Sequence, residues 1–345
     1  MNKTIKKYVI LLLNTSMLAT LAGCQASSKE TPISRTGFFF DTVVTITLYD
    51  ETQSELLDDC MQLCSDYEAT LSRTVSDSEI SELNQAKGQP LALSEDTVNI
   101  INDAIYYSSL SSGAFDITIG SVSSLWDFTG NSAKEQSLSE QSDTALIPPK
   151  QTTIEKQLPH VNYKNILVNG QEVSLNDAET IIDLGGIAKG YIADCLKSYL
   201  LEHGVTNAII DLGGNILTIG NKPDGTPYRI GIKKPFDENG SVITSVNITD
   251  QSVVTSGIYE RYFEYEGRLY HHVLSPYNGY PVDNGLYSVT IVSDSSAAGD
   301  ALSTACLVLG PKDGMALIES IPDIEALFIT NQEELFYSSD FPISE

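Results

Sequence analysis

Apolar residues recur through residues 53–71 at positions 56, 57, 60, 63, 64, 67 and 71. Steps of three and four keep them on one side of a helix, so the spacing predicts an amphipathic helix there. The same period predicts helices over 95–110, with Ser94 placed to cap the first N–H groups, and over 187–202. Asp77-Ser78-Glu79-Ile80 reads as the capped start of a short helix, and Pro148-Pro149 opens another near 150–157. Two more helices are predicted near 297–308 and 312–321. Runs rich in β-branched and aromatic residues mark strands. Phe38-Phe39-Phe40 followed by Val43 to Tyr49 reads as a first strand, and 161–182 as two short strands around Asn169-Gly170. A strand at 207–211 follows, then a run of antiparallel strands at 226–234, 241–249, 252–256, 260–266 and 269–274, and two more at 286–293 and 325–330. Residues 129–146 are polar and irregular, as in a surface excursion. The mixture predicts an α+β fold of mixed, mostly antiparallel sheets flanked by helices.

The N-terminus follows another pattern. Lys3, Lys6 and Lys7 precede the apolar run Tyr8 to Leu13, and small residues lead to Leu21-Ala22-Gly23-Cys24. A basic start, a short apolar core and a small-residue cleavage site make a secretory signal, too short for a lasting transmembrane span. Leu-Ala-Gly-Cys resembles a bacterial lipobox. The resemblance implies cleavage before Cys24, lipid on Cys24, and a cell-membrane anchor on the extracytoplasmic face. The expected organisation is a signal at 1–23, a polar tether at 24–36 and one domain at 37–345.

Charge narrows the partners. The formal net charge is −26, and loss of the three signal lysines makes it −29. Such a surface repels nucleic acid and anionic lipid, so no nucleic-acid partner is expected. A phosphate-bearing substrate would need local positive charge, as a bound metal gives. Cys60 and Cys64 are four apart in a helical pattern, a poor disulfide geometry, and Cys195 and Cys306 read as buried small residues.

Four clusters are polar or glycine-rich where plain packing would not ask for it. Gly113-Ala114-Phe115-Asp116-Ile117-Thr118 follows a helix. Asp183-Leu184-Gly185-Gly186-Ile187-Ala188-Lys189-Gly190 reads as a strand, a tight turn and a helix start, which suits either anion binding or a simple connection. His271-His272-Val273-Leu274-Ser275-Pro276 puts two histidines on opposite faces of a strand end, so at most one serves a site; each is a candidate base or a structural residue. Asp300 and Thr304 share one helical face, where they are either packing residues or hard oxygen ligands suited to Mg²⁺.

Together these clusters resemble the FAD:protein FMN transferase family, the ApbE-like flavin transferases, over about residues 38–330. The resemblance begins at Phe40-Asp41-Thr42. It continues through Leu71-Ser72-Arg73, Asp77 to Asn84, the Gly113–Thr118 run, Leu125-Trp126, the glycine turn, Thr255 to Tyr262, the histidine cluster and Asp300 to Thr304. It implies a T-fold-related architecture and Mg²⁺-dependent transfer of FMN from FAD to a Ser or Thr hydroxyl of extracytoplasmic target proteins, with release of AMP. It further implies Mg²⁺ ligands at Asp300, Thr304 and the carbonyl of Gly186, and His272 as the base. Flavin-site positions fall at Phe40, Arg73, Ala114, Phe115, Asp116, Asp183, Lys189 and His272. Ser256 and Tyr259 lie in a family motif. Two departures stand out: Asp41 where the family has glycine, and Ser275 where it often has Asp. The alternative functions are an FAD carrier lipoprotein without catalysis, and an FAD pyrophosphatase.

Overall fold

The structure is a computed structural model that describes residues 31–128, 146–237 and 239–344. The signal-like segment, Cys24 and nearly all of the polar stretch 129–146 lie outside the described residues. One folded unit begins at Pro32.

The chain opens on a hairpin rather than the single strand expected. Strands β1 (Ile33–Phe39) and β2 (Thr42–Leu48) pair antiparallel around the two residues Phe40 and Asp41. Both turn residues are left-handed, with φ of 55° and 57°. A two-residue hairpin of this hand requires positive φ at both places, which explains why glycine suits position 41 and why Asp, tolerant of that region, can replace it. β1 also starts inside the segment expected to be tether. Its residues Ser34 to Gly37 carry no apolar alternation, because they lie at the exposed edge of a sheet.

Helices α1 (Glu55–Leu71), α2 (Glu79–Gln85) and α3 (Glu95–Leu110) follow, separated by the short strand β3 (Leu91–Ala92). Ser78 and Ser94 accept from the N–H groups of Ser81 and Thr97, as capping residues should. Then come α4 (Gly120–Ser123), α5 (Gln151–Gln157), and strands β4 (Ile166–Asn169) and β5 (Glu172–Leu175), which make a small sheet with β3. The rest is α6 (Ala188–Glu202), β6 (Ala208–Leu212), β7 (Asn215–Ile219), β8 (Tyr228–Lys233), β9 (Val242–Ile248), β10 (Ser252–Gly257), β11 (Tyr262–Tyr265), β12 (Arg268–His271), β13 (Leu286–Ser293), α7 (Ser296–Ile318), β14 (Glu325–Thr330) and β15 (Leu335–Tyr337). Gly310, at φ 81° and followed by Pro311, breaks α7 where two separate helices are expected.

The main sheet has eight strands in the order β1-β2-β6-β7-β10-β13-β14-β15, every neighbouring pair antiparallel. The expected run from 226 to 274 splits. β8–β9 and β11–β12 form hairpins of their own, and β10 alone joins the main sheet. Helices α1, α6 and α7 cover one face, burying Val44, Ile46, Leu48, Ile210 and Leu217 on the left and Val289 and Ile291 on the right. The β8–β9 hairpin covers the other face, with Tyr228, Ile232 and Val246 against Val253, Val292 and Leu327. A satellite cluster of Val122, Trp126, Ile154, Phe263 and Leu274 holds the β11–β12 hairpin to α4 and α5. Register places the β1–β2 turn, the β6–β7 turn and the C-terminal end of β10 side by side at one end of the sheet.

Candidate active site

The site is built where α6 crosses α7. A Cβ placed on Gly190 would stand 2.2 Å from the Ser296 carbonyl oxygen, so any larger residue would force the helices apart. The close approach brings the first turn of α6 onto the side of α7. There the Gly190 N–H donates to Asp300 Oδ2 at 3.0 Å. Lys189 Nζ lies 3.2 and 3.3 Å from the two Asp300 oxygens and 3.4 Å from the Gly185 carbonyl. Asp300 is only 3% exposed, and a carboxylate so buried needs partners of this kind. One turn further, Thr304 Oγ1 is 3.4 Å from Ser256 Oγ at the end of β10, and Ser256 is bonded to Ser303 at 2.8 Å. Gly186 adjoins them, since a Cβ on it would be 3.5 Å from Thr304 Oγ1. Gly186, Asp300 and Thr304 are thus brought together.

The turn before α6 is held by Asp183. Its Oδ1 accepts from the Gly185 N–H at 3.0 Å, and its Oδ2 takes Ser123 Oγ at 2.9 Å and Arg73 Nε at 3.3 Å. The Asp183 N–H donates to the Ile117 carbonyl at 2.7 Å, which seats the turn beside the Gly113–Thr118 run. Arg73 lines a cleft of about 350 Å³ with Asn84, Ser121 and Ser124. In the Gly113–Thr118 run the side chains of Ala114 and Phe115 are buried, and the Phe115 ring reaches Gly186, where a Cβ would meet its Cε2 at 3.1 Å. Asp116 accepts from the Thr118 N–H and hydroxyl at 2.8 and 2.6 Å and from the Tyr163 N–H at 2.8 Å. Burial pushes its pKa up, while these bonds pull it down. Asp116 borders a second cleft, of about 400 Å³, with Gly113, Tyr163 and Tyr277.

Phe40 stands on the β1–β2 turn, its N–H bonded to Glu68 Oε1 at 2.6 Å. Asp41 faces Arg261 at 3.9 Å across the gap between the β1–β2 turn and β11. Arg261 in turn receives His272: its carbonyl accepts from the His272 N–H at 3.0 Å and lies 3.3 Å from His272 Nδ1. Burial, then His271 and the cations Arg261 and Lys189, hold the His272 imidazole down to about 3. His272 is therefore neutral near pH 7. A carbonyl can only accept, so Nδ1 carries the hydrogen and Nε2 keeps its lone pair. His271, as strand alternation expects, does something else. It is buried, bonds through Nε2 to the Val282 carbonyl at 2.9 Å, and is held down to about 4 by desolvation.

Gly190, Ser303 and Arg261 lie inside motifs quoted from the sequence, the glycine turn, Asp300 to Thr304 and Thr255 to Tyr262, but none was a candidate site residue. The Gly190 contact depends on a helix crossing that no local pattern announces, and the Ser303 contact joins α7 to Ser256 at the end of β10.

A family model, the ApbE family, matches residues 40–328. An FAD:protein FMN transferase of Klebsiella pneumoniae (strain 342) is 36% identical over 299 residues, 86% of this chain and 88% of its own length. One from Vibrio cholerae is 29% identical over 330 residues, 94% of this chain and 95% of its own. Among solved structures, the ApbE protein of Thermotoga maritima superposes with a TM-score of 0.80 at 30% identity, covering 90% of this chain and 97% of that one. The flavin transferase ApbE from Vibrio cholerae gives 0.78 at 27%, covering 90% and 98%. The fold, the order of the motifs and these likenesses together make this chain a member of the ApbE family.

Proposed function

We propose that the chain is an FAD:protein FMN transferase, moving FMN from FAD to a Ser or Thr hydroxyl of a target protein and releasing AMP. The observation that carries the reading is His272, whose Nδ1 faces the Arg261 carbonyl so that Nε2 keeps its lone pair, within electrostatic reach of the Lys189 that sits on the buried Asp300. In the proposed step the acceptor oxygen attacks the flavin-side phosphorus, the bond to the AMP oxygen breaks, and His272 Nε2 takes the hydroxyl proton. Asp300, Thr304 and the Gly186 carbonyl would hold Mg²⁺. They are hard oxygen donors, and the Asp300 carboxylate already faces a cation in Lys189. A metal bound there supplies charge neutralisation to the phosphates. Arg73 and Lys189 add fixed positive charge in an otherwise acidic protein.

The test is AMP release from FAD with Mg²⁺, with and without a candidate acceptor protein, read beside mass spectrometry for a phosphoester-linked FMN. Acceptor-dependent AMP release with labelled acceptor supports the transferase. AMP release with no labelled acceptor indicates the pyrophosphatase, and FAD binding without AMP indicates the carrier.

The place of action rests on Leu21-Ala22-Gly23-Cys24. The reading is a lipid-anchored protein on the extracytoplasmic face of the cell membrane, acting on targets there. Replacing Cys24 by Ala should leave the protein unlipidated in a membrane fraction assay, and a native chain found unlipidated in the cytoplasm would sink the idea.

A further inference from the structure

The α6–α7 crossing holds a second carboxylate that the proposed chemistry does not use. Asp194 lies on α6, four residues after Gly190. Its Oδ1 accepts from the Ser296 N–H at 2.8 Å, and its Oδ2 takes the Ala297 N–H at 3.0 Å and Ser295 Oγ at 2.9 Å. These donors form the start of α7, whose N-cap is Ser295. Asp300, four residues into α7 from Ser296, accepts from Gly190 in the first turn of α6. Each helix therefore carries a carboxylate that holds the first turn of the other. The two clamps sit on either side of the point where Gly190 meets Ser296.

We propose that Asp194 is a positioning residue that sets where Asp300 and Thr304 stand relative to Gly186. Gly186 belongs to the turn that leads into α6, whereas Asp300 and Thr304 belong to α7. Any ligand that needs all three reads the register of one helix against the other. The Gly190 contact fixes how closely the helices approach, but a contact does not stop one from sliding or tilting past the other. Three directed bonds to one half-buried carboxylate do, and negative charge at a helix start is favourable in its own right. Asp103 is the acidic neighbour from α3, and Lys197 one turn along α6 offsets it. Groups that orient metal ligands from behind typically change metal affinity by about tenfold to a hundredfold when removed.

The inference rests on the reading of Asp300 and Thr304 as Mg²⁺ ligands, and the experiment separates the two. Mg²⁺ binding to the folded full-length protein is measured by calorimetry, with FAD affinity measured in parallel. Asp300→Ala should abolish Mg²⁺ binding; if it does not, the ligand reading fails. Asp194→Asn, matched in shape, should weaken Mg²⁺ binding by about tenfold or more while FAD affinity in the absence of metal stays near wild type. Ser295→Ala, which removes one of the three donors, should weaken it less. If Asp300→Ala abolishes binding but Asp194→Asn binds Mg²⁺ as wild type does and merely melts lower, Asp194 is a structural cap and the proposal is overturned. Asp194→Ala need not fold for this comparison to decide.

Discussion

The two halves of the site are built differently. The half that bears Asp300, Thr304, Ser256 and Gly186 is part of the main body. It comes from α6, α7 and β10, and its groups are tied by hydroxyl pairs, a half-buried ion pair and a helix crossing that admits only glycine. The half that bears His272 and Arg261 stands on and beside the two-stranded β11–β12 hairpin, which leans on the satellite cluster around Trp126. Its link to the β1–β2 turn is one exposed contact of 3.9 Å between Arg261 and Asp41. Surface pairs of that kind contribute little. The half around Asp300 is thus preorganised by the core, whereas the half around His272 is carried by a small appendage. Damage to the first should disturb stability and chemistry together. Damage to the second should separate them.

The largest effect tests the first half. Asp300→Ala should bring Mg²⁺-dependent FMN transfer to background, as EDTA should for the wild type. It also leaves the Gly190 N–H without its partner and the Lys189 ammonium with only the Gly185 carbonyl, at a cost of about 1–3 kcal/mol in stability. Circular dichroism should still show a folded chain, because the main cores lie elsewhere. Full turnover in this variant would break the comparison at its stronger side. Next comes His272→Ala, expected to lower transfer by at least about a hundredfold while FAD affinity changes far less. His271→Ala should leave transfer near wild type. It should instead lower the melting temperature, because it strands the Val282 carbonyl and opens a cavity. Equal kinetic loss in both histidine variants would mean that the hairpin acts as a structural unit.

How far the sequence reached follows the same divide between local and distant causes. α3 with its Ser94 cap, and strands β13 and β14, match their expected ranges, because period and capping are read within a few residues. β1 was legible only at Phe38-Phe39, because the rest is a polar sheet edge, and β7, a short return after the Gly213-Gly214 turn, was not legible as a strand. In the site, Asp300 and Thr304 could be paired from their four-residue spacing. The seating of Lys189 on Asp300 could not, since it joins residues 111 apart through a crossing that no local pattern announces. Ala114 and Phe115 carry the family motif and are buried, with the Phe115 ring set against Gly186. A resemblance marks the segment, and only the fold tells what its side chains meet.

A smaller effect sharpens the role of the crossing. Gly190→Ala places a methyl where only 2.2 Å is available to the Ser296 carbonyl. Overpacking of this kind typically costs about 1–3 kcal/mol. The melting temperature should fall, and Mg²⁺ activation should need more metal, because Asp300 moves with α7. The same substitution at Gly267, in the β11–β12 turn, meets no atom within 4 Å but sits at φ 75°, so it should cost stability without touching metal dependence.

The smallest effect is in pH. Burial holds His271 down to about 4 and His272 to about 3, whereas an unfolded chain titrates near 6.5. Between those values the unfolded state binds protons that the native state refuses, so stability falls as pH drops from about 6.5 toward 4. Buried carboxylates oppose it: Asp116, Asp194 and Asp211 are pushed up, and the native state gains protons on them as pH falls. A difference measurement isolates the histidine. His271→Gln can still donate to the Val282 carbonyl but cannot titrate, so its stability relative to wild type should improve steadily from pH 7 to 4.5. Catalysis should respond in the other sense. With His272 neutral far below pH 6.5, the transfer rate should stay level from pH 7.5 to about 5, with no midpoint near 6.5. An acid limb centred there would mean that the imidazole meets water freely, and that the hairpin does not seal the base against Lys189 and Arg261.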